Sequence, residues 1–97
     1  MPTMGTPSLL PSPHPAVIVK TVPDGAVLLH TELEIYFGLN AVGSRVWQLL
    51  PQGCRNVDEL CAVLRKSYPD VGADELRADV ETLLRQLRQN LLVVEPW

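Results

Sequence analysis

The stretch EIYFGLNAVGSRVWQLL, residues 34 to 50, changes its period part-way along. Ile35, Phe37 and Leu39 share one side of an extended segment, with Glu34, Tyr36 and Gly38 on the other. After Asn40 the apolar residues recur at Val42, Val46, Trp47, Leu49 and Leu50, the spacing of a helical face. The chain therefore passes from a strand directly into an amphipathic helix, with Asn40 suited to cap it.

The segments before it extend the sheet. AVIVKTV, residues 16 to 22, is rich in β-branched residues and ends at the turn sequence PDG, residues 23 to 25. AVLLHT supplies a second strand, TELE crosses over, and EIYFGL is the third. Three strands this close in sequence predict an antiparallel meander, although imperfect alternation in the first two leaves their register open.

Two further helices follow the segment. Asn56 caps the first of them, with Glu59 at capping-box spacing. Val57, Leu60, Cys61, Leu64 and Tyr68 form its apolar stripe, and Pro69 closes it. The other begins near Ala73 and aligns Leu76, Val80, Leu83, Leu84 and Leu87 on one face. LLVVEP reads as a short final strand or a chain packed along the sheet. The order βββααα predicts an α+β fold, a three-stranded antiparallel sheet followed by three helices, with winged helix-turn-helix as the nearest class.

Residues 1 to 15 contain no Asp, Glu, Lys or Arg and five prolines, and read as a flexible Pro-rich tail preceding one domain over residues 16 to 97. Leu9 and Leu10 leave a docked tail as the alternative. The start has no basic region ahead of an apolar run, so it is no signal peptide, and no apolar run approaches membrane-spanning length. These features predict a soluble, cytoplasmic protein with no membrane association.

A chain of 97 residues, 46% hydrophobic, has a core too small for an enclosed cofactor site, and no cofactor is expected. Cys54 and Cys61 lack a CxxC arrangement, and His14 and His30 are scattered in sequence, so no metal site is expected either. Cys61 belongs to an apolar helical face and Cys54 to a loop. His30 reads as an exposed strand residue without an orienting acid. Glu32 and Glu34 would lie on the same side of a regular strand and read as a solvated edge. Gly38, Gly43 and Gly53 form no phosphate-binding fingerprint. No nucleophile, base and orienting acid make a set, so no catalytic residue is assigned and the chain is expected not to be an enzyme.

Recognition remains. Eight Lys and Arg against eleven Asp and Glu give a net charge of −3, without a basic block. The candidate DNA-reading helix carries Asp74, Glu75, Asp79 and Glu81 in its first turns against Arg77 alone, which would repel phosphates. No nucleic-acid partner is expected, and a winged-helix DNA-binding protein is kept only as an alternative reading. An open strand edge offers a better use, because a peptide can extend a sheet through main-chain hydrogen bonds.

YFGLNAVGSRVWQLL resembles the tyrosine–glycine–leucine–asparagine to tryptophan segment of the PqqD-like family. Members are small recognition elements that bind leader peptides of ribosomally made, modified peptides. The resemblance continues through residues 56 to 93 and covers roughly residues 16 to 94. In that family the leader adds as a strand beside the third strand and lies against the third helix. The resemblance implies Glu34, Ile35, Tyr36 and Phe37 along the binding edge, with Asp79, Val80, Leu83, Leu84 and Leu87 on the helical wall. Leu39, Asn40, Gly43 and Trp47 match the family segment as structural residues. One apolar stripe cannot serve core and groove equally, so the leucines must divide between them.

As a short free-standing chain it looks like the leader-recognition protein of lasso-peptide clusters. There, a separate cysteine leader peptidase and an ATP-dependent cyclase act on the precursor, whose leader commonly presents a tyrosine and a proline three residues later. The alternative implied by the resemblance is a PqqD-like peptide chaperone serving a radical maturation enzyme of another pathway.

Overall fold

The computed structural model describes residues 10–50, 54 and 56–95. Three strands, β2 (Val17–Val22), β3 (Gly25–His30) and β4 (Ile35–Asn40), form an antiparallel sheet in the order β2-β3-β4. The helices α1 (Ala41–Leu49), α2 (Val57–Ser67) and α3 (Ala73–Gln89) follow. A second, two-stranded pairing joins β1 (Ser12–Pro13) to β5 (Val93–Val94). This is the α+β meander and three-helix arrangement expected from the sequence.

The register pairs Val22 with Gly25 across a two-residue turn and runs on to Val17 with His30. Gly25 is required there, because a Cβ at this position would run into the Leu39 carbonyl oxygen. Between β3 and β4, Ala26, Leu28 and His30 lie opposite Leu39, Phe37 and Ile35. Side chains alternate across a sheet, so these six share the face that meets the helices. Ala26, Leu28, His30 and Leu39 are buried there, with Phe37 packed against the core.

Both expected caps form. Asn40 Oδ1 accepts from Gly43 N–H at 2.8 Å, and Asn56 Oδ1 accepts from Glu59 N–H at 2.9 Å. Each satisfies a donor that the helix start would otherwise leave unpaired. Leu60, Leu64, Leu76, Val80, Leu84 and Leu87 from α2 and α3 meet Val46, Trp47 and Leu50 in one core. At the surface Arg77 donates to Asp58 at 2.7 Å and lies 3.6 Å from Glu81, tying α3 to α2 through exposed contacts of small energetic weight.

Several expectations change. A wholly loose tail up to residue 15 does not describe residues 10 to 15. Leu10 and Pro11 are buried, β1 pairs with β5, and His14 N–H donates to the Leu92 carbonyl at 3.0 Å. Two apolar side chains and an open strand partner hold the segment down. Residues 1 to 9 lie outside the described residues, as does the expected helix stop at residues 51 to 53.

His30 is buried, only 2% exposed, instead of exposed on a strand. It closes the inner face of the sheet where the N-terminal segment covers it. Glu32 and Glu34 do not share the side of a strand: residues 31 to 34 form a turn, with Glu34 in the left-handed region at φ 57°. Glu34 N–H donates to the His30 carbonyl at 2.7 Å, so the chain reverses before β4 begins.

Candidate peptide-binding cleft

β4 is an edge, and the alternation of the meander fixes which of its backbone groups are free. The Val22–Gly25 pair flanking the two-residue turn exchanges hydrogen bonds, and the Thr31 N–H to Ala16 carbonyl bond at 2.9 Å falls in the same phase. Residues 26, 28 and 30 of β3 therefore bond towards β4, engaging Leu39, Phe37 and Ile35. The N–H and C=O groups of Tyr36 and Gly38 point the other way, to the open edge. No described strand pairs with them.

Beside that edge lies a cleft of about 350 Å³. Phe37, Gly38, Leu39 and Asn40 of β4 form one side, and Val42, Gly43 and Val46 of α1 form its floor. Asp79, Val80, Thr82, Leu83 and Gln86 of α3 make the opposite wall. Asp79, Thr82, Leu83 and Gln86 are spaced i, i+3, i+4 and i+7, one stripe of the helix. Asp79 is the only charged residue lining the cleft among the described residues. It makes no ion pair among the described residues.

Of the residues expected at the binding surface, the structure brings Phe37, Asp79, Val80 and Leu83 together around this cleft. Leu84 and Leu87 turn into the core, at 2% and 0% exposure, and do not line it. Glu34, Ile35 and Tyr36 do not line it either. Glu34 sits in the turn, Ile35 is half-buried on the inner face, and the Tyr36 side chain projects from the outer face, 71% exposed. Tyr36 reaches the edge through its backbone only.

Thr82 and Gln86 were not legible from apolar periodicity, because that signal ignores polar residues. Their spacing from Asp79 would have found them. Val42 and Val46 read as part of an apolar helical face, and Leu39, Asn40 and Gly43 as structural, yet all five also border the cleft. Gly43 keeps α1 close to β4, since a Cβ would stand 3.2 Å from Leu39 Cδ2 and 3.3 Å from Asn40 Oδ1.

His14 and His30, scattered in sequence, are together in space, with ring centroids 4.6 Å apart and ligand atoms within 4.8 Å of each other and of Glu32. Each Nδ1 accepts a backbone N–H, His14 from Ala16 at 2.9 Å and His30 from Leu33 at 3.2 Å. The neutral rings then carry their hydrogen on Nε2, leaving no lone pair there. A metal-ligating histidine normally donates from its other nitrogen instead, so this pair suits a clasp on the N-terminal segment better than a metal.

Cys54 and Cys61 are buried. Burial pushes both thiols upward from their ordinary value. Glu59 adds to the effect at Cys54 while Arg45 opposes it, and Arg77 opposes it at Cys61. Both are poor nucleophiles at neutral pH. No helix among the described residues is long and apolar enough to cross a membrane.

The fold and cleft define a small winged-helix-like domain with an open sheet edge facing a helix. The chain belongs to the family described as coenzyme PQQ synthesis protein D (PqqD), which matches residues 25–93. Its structure is similar to that of TbiB1 in complex with the TbiA(beta) leader peptide, with a TM-score of 0.74 and 35% identity over 84% of this chain and 93% of that one. It also shares its fold with lasso peptide synthetase B1 complexed with the leader peptide, with a TM-score of 0.71 and 24% identity over 87% and 95% of the two chains. No curated protein matches the chain.

Proposed function

We propose that this protein binds the leader region of a ribosomally made precursor peptide by strand addition to β4 and performs no chemistry itself. The observation that carries this reading is the free backbone edge at Tyr36 and Gly38 opening directly onto the cleft against α3. An added strand gains main-chain hydrogen bonds at the edge, and its alternate side chains enter the cleft for selectivity. The leader complex of the 35%-identical TbiB1 supports the same assignment.

The pathway that fits best is lasso-peptide biosynthesis, with the bound precursor presented to a separate cysteine leader peptidase and cyclase. Family membership also supports a second reading, a peptide chaperone for a radical maturation enzyme. Titration with the leader encoded in the chain's own gene neighbourhood tests the proposal. Micromolar or tighter binding is expected, with hydrogen-exchange protection gained at the Tyr36 and Gly38 amides. No binding by folded protein, or perturbation confined to other surfaces, would overturn it. Undiminished binding of a leader stripped of its tyrosine and proline would favour the chaperone reading.

A further inference from the structure

The α3 wall of the cleft is not uniformly apolar. Leu83 supplies its apolar centre, Asp79 lies one turn towards the helix N-terminus, and Gln86 about one turn beyond. Glu81 and Asp58 pair with Arg77, and Glu95 with Arg88, while Asp74 and Glu75 sit in the first turn of α3 and do not line the cleft. Asp79 alone combines a place on the cleft wall with the lack of an ion-pair partner among the described residues.

A strand laid along β4 would cover this carboxylate. Covering an ionised group without a partner is unfavourable, and a second carboxylate beside it more so. A basic side chain reverses both penalties. Spacing decides where that side chain would sit. Asp79 and Leu83 are separated by about 6 Å along the helix, at roughly 1.5 Å per residue. Side chains on one face of a strand recur about every 6.8 Å, at roughly 3.4 Å per residue. Successive inward residues of the added strand can therefore face Leu83 and Asp79 in turn.

We infer that Asp79 is a specificity-determining residue of the cleft, selecting peptides that carry Lys or Arg two positions from the apolar residue seated against Leu83. This rests on the strand-addition reading and adds to it the charge and phase of the ligand. Asp79 acts in both directions, favouring a cation and rejecting a carboxylate at that one position.

The test is selection of a displayed library of random 20-residue peptides on the full chain and on its Asp79→Asn and Asp79→Lys variants, each confirmed folded by its melting curve. The wild type should enrich an apolar or aromatic residue with Lys or Arg two positions away. Asp79→Asn should lose the basic preference while keeping the apolar one, and Asp79→Lys should replace it with Asp or Glu. A wild-type-selected peptide, resynthesised, should bind Asp79→Asn roughly two- to fivefold more weakly at low salt, with the gap closing at high salt. Binders without a basic position, or the same basic position on all three proteins, would overturn the role of Asp79 and leave strand addition standing. A library yielding no cleft binders at all would overturn both.

Discussion

Leu83 and Leu84 are neighbours in α3 with opposite destinations: Leu83 borders the cleft across from Phe37, and Leu84 is sealed in the core at 2% exposure. Their truncations should separate binding from stability. Leu83→Ala should weaken leader binding by up to ~2 kcal/mol, as for an interface anchor, with a small change in melting temperature. Leu84→Ala should destabilise the fold by about 2–5 kcal/mol, because it leaves a cavity among packed neighbours. Paired titration and thermal melts check both. Equal effects on both readouts would mean that the two side chains share one environment.

That division shows what the sequence could and could not carry. The periods at residues 34 to 50, the turn at Pro23–Asp24 and the caps at Asn40 and Asn56 are local, so they could be read directly. The leucines of α3 form one broad stripe, and only the placement of α1 and β4 against it assigns Leu84 and Leu87 to the core and Leu83 to the cleft. His30 was misread for a related reason. Its cover comes from a segment sixteen residues earlier whose anchoring, through Leu10, Pro11 and the β1–β5 pairing, leaves no periodic trace.

Trp47 tests the core assignment itself. It is 7% exposed and packs on the inner side of α1 with Val46 and Leu50, and it does not line the cleft. Trp47→Ala should cost about 3–5 kcal/mol, a large part of the whole stability of a small domain. Chemical denaturation measures it, and a substantially unfolded population is expected at 37 °C. A variant that melted like the wild type but lost leader affinity would place Trp47 on the binding surface instead.

The buried thiols predict a loss of stability in alkali. Burial raises the Cys61 pKa in the folded chain above its ordinary 9.0, so near that value the unfolded chain gives up its proton and the folded chain keeps it. The associated stability is complete below the unfolded pKa and declines as pH rises towards the folded one. The melting temperature of the wild type should fall more steeply above pH 9.0 than that of Cys61→Ala, which lacks the thiol. Parallel melting curves from neutral to alkaline pH check this, and identical slopes would remove Cys61 as a contributor.

The backbone edge is the most direct target. Gly38 sends its N–H to the open side of β4, and a Cβ there would meet nothing within 4 Å. Gly38→Ala should therefore be accommodated without steric conflict and retain leader binding. Gly38→Pro deletes the outward N–H and sets a ring in the path of an added strand, while the bonds of Phe37 and Leu39 to β3 remain. Proline is tolerated on an edge strand when its missing N–H faces solvent, so the fold should survive. Leader affinity should then fall by at least the roughly 0.5–1.5 kcal/mol of one hydrogen bond, and further because the ring blocks close approach. Circular dichroism establishes folding, and calorimetric titration of both variants against the same leader gives the comparison. A folded Gly38→Pro protein that bound like Gly38→Ala would show that the leader does not pair with β4, whatever else it touches in the cleft.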